Sequence, residues 1–234
     1  MPTTRGDATI DQVLEEFLTE QRKGLSARTV RRYEEVVSLF RHSLNGYAYE
    51  SLDGDERQRW QEGFDLNEED AFCRLFGPEK IPENLGEFLG YFMVHKVIAS
   101  RELLKAAGTV TGKLVRWLAD RGYIDQPSAA DAEDRARAAS RDLPKADRLG
   151  SLLHEVAQQA PTIDPDAIPD DDWIEDYLEI VRVEPGRIWF QDGVGPIPVP
   201  RQASDLAHAG WSASVTTARI NCRWHLLEVG PVYP

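Results

Sequence analysis

Apolar residues recur every three or four positions through the first half of the chain, which is the pattern of amphipathic helices. Thr9 and Gln12 have the spacing of a capping box, so a helix is predicted to begin directly after Thr9. Ser26 and Ser100 precede two further apolar stripes as N-cap residues, and Gly122 follows the last stripe as a helix stop. The pattern predicts an all-α bundle over this half of the chain.

Residues 47–80 interrupt the bundle pattern, because aromatic side chains there alternate with short acidic runs. We predict short helices in this segment, packed onto the bundle as an insertion. Residues 83–98 then return to strongly apolar helical spacing. The helix that follows Ser100 contains Gly108 and Gly112, each of which is expected to weaken it by about 1 kcal/mol relative to alanine.

Residues 126–170 have a different composition, dominated by Ala, Asp, Arg and Pro. Apolar spacing within 147–159 predicts one short helix. The three consecutive aspartates at 170–172 are interpreted as part of a solvated connector rather than as a metal site. We therefore predict an acidic linker over 128–172.

From residue 173 the apolar period changes to two, which is typical of β-strands. The predicted strands cover residues 177–183, 188–190, 197–199, 211–220 and 223–229. Residues 184–187 form a Pro-Gly turn, and Pro198 places its strand at a sheet edge because proline cannot donate to a ladder. Residues 173–234 are predicted to form a small all-β barrel or sandwich, so the fold class is α+β with two domains.

The chain carries 27 basic and 40 acidic side chains, for a net charge of −13. This charge opposes broad affinity for nucleic acid, although it leaves room for a local basic face. Cys73 and Cys222 are too few and too far apart to indicate a disulfide framework or a metal cluster. No apolar run is long enough to span a bilayer, so we expect a cytoplasmic protein without a membrane partner.

Two stretches of the predicted bundle resemble a known DNA-binding domain. They are LSARTVRRY at residues 25–33 and LVRWLADRGYI at residues 114–124, the second followed by Pro127. Both are similar to helices of the core-binding domain that precedes the catalytic domain of tyrosine recombinases, the phage integrase family. The resemblance covers residues 8–127 apart from the insertion, and it implies a four-helix bundle that grips DNA from one side.

The catalytic half of that family has no counterpart in this sequence. Recombinase chemistry needs basic residues around a phosphate, a His-x-x-Arg pair and a nucleophilic tyrosine. After residue 127 the histidines are His154, His208 and His225, and none has an arginine three positions later. We therefore predict no recombinase activity, and neither a cofactor nor a metal.

Basic residues form one stripe on each of the two helices that carry the resemblance, opposite the apolar stripe. The predicted DNA-contacting residues are Arg22, Lys23, Arg28, Arg31, Arg32, Arg101, Lys105, Lys113 and Arg116. Such cations would hold phosphates without reading the base sequence. The alternative interpretation is an ordinary solvated helix face, in which Glu35 and Glu102 neutralise the neighbouring cations.

Three functional hypotheses remain open. The first is a non-catalytic DNA-binding accessory protein whose partner is double-stranded DNA. The second is a protein-interaction scaffold in which Trp189, Trp211 and Trp224 of the β domain contact a protein partner. The same tryptophans could instead fill the core of that domain. The third is an enzyme of unrecognised type, for which the sequence offers no nucleophile and base pair.

Overall fold

A computed structural model describes residues 8–65, 70–165 and 168–234 of the chain. The chain divides into two compact units, Met1–Arg141 (unit 1) and Asp142–Pro234 (unit 2). Unit 1 is helical, whereas unit 2 contains a five-stranded antiparallel sheet. The predicted α+β class is therefore confirmed.

Unit 1 is built from helices of very different length. They are α1 (Ile10–Gln21), α2 (Ala27–Tyr47), α3 (Gly54–Asp65), α4 (Ala71–Leu75), α5 (Lys80–Glu87), α6 (Met93–His95), α7 (Arg101–Asp120) and the first part of α8 (Gln126–Ala157). A 3₁₀ turn at Ala48–Ser51 follows α2, and a π-helical turn at Phe88–Phe92 joins α5 to α6. The short helices predicted for residues 47–80 are confirmed by α3 and α4.

The predicted helix ends are confirmed by their hydrogen bonds. The Thr9 hydroxyl accepts from the backbone N–H of Gln12 at 3.4 Å, and the Gln12 side chain accepts from the backbone of Thr9 at 3.0 Å. Ser26 and Ser100 cap α2 and α7 in the same way. Gly122 ends α7 with a φ of 71°, in the left-handed region where glycine is favoured.

The core of unit 1 is aromatic. The ring of Phe17 on α1 lies 6.0 Å from Tyr33 on α2 and 5.7 Å from Trp117 on α7. Phe40 and Phe88 are fully buried and lie 4.9 Å apart, which joins α2 to the π-helical turn. Burial of each such ring stabilises the fold by about 1.5–3 kcal/mol, so these contacts fix the placement of α1, α2 and α7.

The linker predicted over 128–172 is wrong for most of its length, because α8 continues through it to Ala157. Alanine is the strongest helix former, and Ala129, Ala132 and Ala136 are buried at helical spacing. Pro144 lies inside the helix, close to the boundary between the two units. Of the predicted linker, residues 166–167 lie outside the described residues, and Asp170–Asp172 form a 3₁₀ turn leading into the sheet.

The sheet of unit 2 has the strand order β3-β2-β1-β4-β5 and is open. Its strands are β1 (Trp173–Glu184), β2 (Arg187–Phe190), β3 (Ile197–Pro198), β4 (Ser212–Ile220) and β5 (Arg223–Tyr233), with helix α9 (Arg201–Leu206) between β3 and β4. Leu149, Leu152 and Leu153 of α8 share one buried cluster with strand residues. The predicted all-β barrel or sandwich is therefore wrong. Helix α8 packs on the sheet, and the edge strands β3 and β5 do not pair with each other to close a barrel.

The tight turns of unit 2 lie where the sequence predicts them. Gly186 adopts a φ of 78° in the predicted Pro-Gly turn between β1 and β2. Asn221 and Cys222 adopt φ values of 50° and 65°, as a two-residue hairpin between β4 and β5 requires. Pro198 lies in the edge strand β3, as predicted.

Candidate functional site

The first candidate site lies where α1 ends and α2 begins. Residues 20–35 carry five basic and three acidic side chains, so this corner is positive within an acidic chain. We call Arg22, Lys23, Arg28, Arg31 and Arg32 the basic corner. Ser26 starts α2 between these cations, and the partial positive charge at a helix N-terminus adds to theirs.

One of the three acidic residues faces away from the basic corner, toward α7. The Glu20 carboxylate accepts from the indole N–H of Trp117 at 3.0 Å and forms an ion pair with Arg121. The neighbouring Glu16 accepts from the Tyr123 hydroxyl at 2.8 Å and also pairs with Arg121. These carboxylates serve the contact between α1 and α7, so they do not neutralise the basic corner.

Two cations of the basic corner have carboxylate partners. Arg22 lies 2.8 Å from Glu34, and Arg32 lies 2.8 Å from Glu35. Both pairs are more than one third exposed, and exposed pairs contribute about 0–1 kcal/mol. Such weak pairs can exchange partners with an incoming phosphate.

The other three cations of the basic corner are not neutralised. Lys23, Arg28 and Arg31 are exposed, and within the described parts of the chain their side chains form no ion pair. Sequence spacing alone suggested that Glu35 could neutralise both Arg31 and Arg32, but the carboxylate bonds Arg32. The corner therefore keeps an excess of positive charge.

The second predicted stripe, on α7, is only partly available. Arg116 is paired with Glu133 of α8, and the Lys113 ammonium lies 5.6 Å from the centre of the Tyr33 ring. The exposed Lys105 ammonium has no carboxylate partner among the residues that the structure describes. Of this stripe, Lys105 is the cation best placed to meet an external anion.

Glu102 on α7 feels the charge of basic residues from both predicted stripes. Hydrogen bonds from its own backbone N–H and from Ser100 lower the pKa of the Glu102 carboxyl, and Arg101 and Arg32 lower it further. Arg32 belongs to α2 and Arg101 to α7, so the basic ends of these two helices act on the same carboxylate. Arg32 and Arg101, one from each predicted stripe, therefore lie near one carboxylate, which offsets part of their positive charge.

The three tryptophans proposed as partner contacts have different environments. Trp211 is only 7% exposed and belongs to the core of unit 2, so it does not face a partner. Trp189 and Trp224 are half-buried, with the guanidinium groups of Arg182 and Arg219 at 4.7 Å and 5.8 Å from their rings.

Unit 2 also holds a groove of about 800 Å³ that sequence reasoning did not predict. Its walls come from residues 195–200, which include β3, from the start of β5, and from the end of α8. Trp224 is the predicted partner residue that lines it. The groove depends on the relative placement of two sheet edges, for which the local pattern of residues carries no signal.

Within residues 8–65, 70–165 and 168–234, no three His, Cys, Asp or Glu side chains converge as a metal ion would require. Over the same ranges, no helix has the length and apolar character needed to cross a bilayer. Comparison with family models, with curated proteins and with solved structures finds no match to this chain.

Proposed function

We propose that unit 1 binds double-stranded DNA by contacting the phosphate backbone of the duplex, and that it does so without catalysis. The observation that carries this proposal is the positive charge left over at the basic corner. Lys23, Arg28 and Arg31 are exposed there and have no carboxylate partner among the described residues. Cations of this kind attract phosphates from a distance and fix the position of the protein on the duplex.

The arrangement of α2 and α7 supports a single contact surface. The Lys113 ammonium of α7 lies 5.6 Å from the ring centre of Tyr33 on α2, so the two helices are neighbours, and Lys105 adds an exposed cation on α7. The resemblance of residues 25–33 and 114–124 to helices of the integrase core-binding domain points to the same ligand. Contacts to phosphates alone imply weak dependence on base sequence.

The test is a fluorescence anisotropy titration of a labelled duplex at low salt. Replacement of Arg28 and Arg31 by Gln removes two phosphate contacts, and we expect affinity to fall by about tenfold or more. The matched control replaces Arg137 and Arg201 by Gln, which removes the same charge from two exposed positions outside the basic corner. The control variant should bind like the wild type. Equal weakening in both variants would contradict a localised site.

The alternative hypothesis, a scaffold that recruits a protein partner through unit 2, is favoured by a separate observation, the groove at the edges of the sheet. The two proposals concern different units of the chain. A protein that binds DNA through unit 1 could also hold a partner through unit 2.

A further inference from the structure

Two parts of the groove lining in unit 2 differ in their chemistry. One wall contains Pro196, Pro198 and Pro200, which carry no backbone N–H and present apolar rings. A second stretch of the lining runs from Cys222 in the hairpin turn through the start of β5 to Leu226, and the end of α8 completes the groove. The groove volume of about 800 Å³ is typical of sites that enclose a ligand. The proline wall thus offers apolar contact, and the second stretch offers the edge of a strand.

The charge of the groove is positive. Arg187 and Arg223 line it, both are exposed, and neither has a carboxylate partner among the described residues. Glu155 is the acidic side chain of the lining. Elsewhere in unit 2 Arg182, Arg201 and Arg219 each pair with a carboxylate. The groove therefore keeps two arginines for an external anion, in a chain whose net charge is −13.

The strand edge provides main-chain hydrogen-bonding groups. The residues on either side of the two-residue turn, Ile220 and Arg223, face each other, and the next pair is Arg219 with Trp224. Hydrogen-bonded and non-bonded pairs alternate along an antiparallel ladder, so the N–H and C=O of Trp224 point away from β4. β5 is the last strand of the sheet, so these groups are available to a ligand in the groove.

We infer that this groove binds an extended peptide segment that carries acidic residues. Arginine forks pair with carboxylates in a bidentate geometry, which suits Asp and Glu side chains. The main-chain groups of Trp224 can bond the peptide backbone, and the proline wall and the Trp224 ring can pack on apolar side chains between the acids. A small anion would use the arginines alone. A peptide uses every feature of the groove.

The exposed Cys222 gives a direct readout of this site in the full-length chain. Cys222 lines the groove and is exposed, whereas Cys73 is fully buried and burial raises the pKa of its thiol. A thiol reagent should therefore label Cys222 in the native protein and leave Cys73 unmodified. Absence of labelling in Cys222→Ser confirms the assignment of the signal.

The experiment measures the rate at which the thiol reagent labels Cys222 in the presence of each member of an array of eight-residue peptides. Each peptide carries two acidic residues, separated by one to four positions, with Val, Leu, Phe or Tyr between them. We expect a subset of these peptides to slow the labelling, and the corresponding peptides with Lys in place of the acids to have no effect. If no acidic peptide slows the labelling, or if the Lys peptides slow it equally, the proposal is overturned.

Charge variants of the same unit locate the binding. Replacement of Arg187 and Arg223 by Gln should weaken peptide binding, measured by anisotropy, by about tenfold or more. Replacement of Arg182 and Arg201 by Gln removes the same charge outside the groove and should leave binding unchanged. Unchanged binding in the first variant contradicts the proposal, as does protection of Cys222 by single-stranded oligonucleotide in place of peptide. None of these outcomes depends on whether unit 1 binds DNA.

Discussion

At the scale of single residues, Gly108 sets how closely α7 and the first part of α8 approach. A Cβ atom at this position would lie 2.4 Å from the carbonyl oxygen of Ala136 and 2.4 Å from the backbone nitrogen of Ser140. The Thr109 hydroxyl lies 3.0 Å from the Ser140 hydroxyl at the same contact. The backbones of the two helices therefore touch, and a side chain at Gly108 cannot fit between them.

We expect Gly108→Ala to destabilise the protein although alanine is the better helix former. The clash involves backbone atoms, and overpacking of this kind costs about 1–3 kcal/mol. Gly86 in α5 is the matched control, because a Cβ atom there would have no neighbour within 4 Å, and Gly86→Ala should stabilise the helix by about 1 kcal/mol. Urea denaturation of both variants measures these changes. A stabilised Gly108→Ala variant would contradict the close helix contact.

The sequence predicted local features at this scale and missed those that depend on a second element. The caps at Thr9, Ser26 and Ser100 were predictable because their partners lie three residues away. Gly108 could be interpreted from sequence only as a weakness of α7. Its role depends on α8, and the pairing of Arg116 with Glu133 depends on the same helix.

At the scale of elements, α8 is the largest departure from the sequence prediction. Its buried stripe in unit 1 consists of alanines, which a search for large apolar residues does not detect. Pro144 also resembles a helix stop, because proline in a helix interior removes a hydrogen bond. The strands were easier to predict, because alternation of large side chains and the turns at Gly186 and Asn221 mark their ends.

The start of α8 depends on the ionised carboxyl of Asp125. Its Oδ1 accepts from the backbone N–H of Ser128 at 2.8 Å, and its Oδ2 accepts from the Ser128 hydroxyl at 2.9 Å. These hydrogen bonds, the backbone one first, lower the pKa of Asp125 below its ordinary value. A carboxyl whose pKa is lowered by folding stabilises the folded state at any pH above the ordinary pKa of the unfolded chain. This stabilisation is lost as the pH falls through the lower pKa of the folded state.

The Asp125→Asn variant keeps a side chain that can cap α8 but removes the carboxyl charge. Asparagine caps a helix equally well but does not ionise, so the variant should retain most of the stability near pH 7. The advantage of the wild type over this variant should shrink as pH falls from about 4, the ordinary value of an aspartate carboxyl in the unfolded chain, toward the lower pKa of the folded state. Melting temperatures of both proteins between about pH 3 and pH 7 test this. A wild-type advantage that grows toward acid pH would contradict the assignment.

At the scale of the whole molecule, the net charge of −13 opposes DNA binding, while the basic corner and Lys105 favour it. The proposal therefore requires a small number of strong local contacts rather than a general attraction. Binding should consequently be weak at physiological salt and should depend on only a few released counterions. The basic corner belongs to unit 1 and the groove belongs to unit 2, so DNA binding by unit 1 does not require the groove.

The salt dependence of duplex binding tests the DNA proposal most directly. The proposed phosphate contacts come from four cations, Lys23, Arg28, Arg31 and Lys105. A plot of the logarithm of the association constant against the logarithm of salt concentration should therefore have a slope of about −3 to −4. In the Arg28 and Arg31 double Gln variant, the slope should move toward zero by about 2. An absence of binding at low salt, or the same slope in both proteins, would contradict DNA binding by the basic corner.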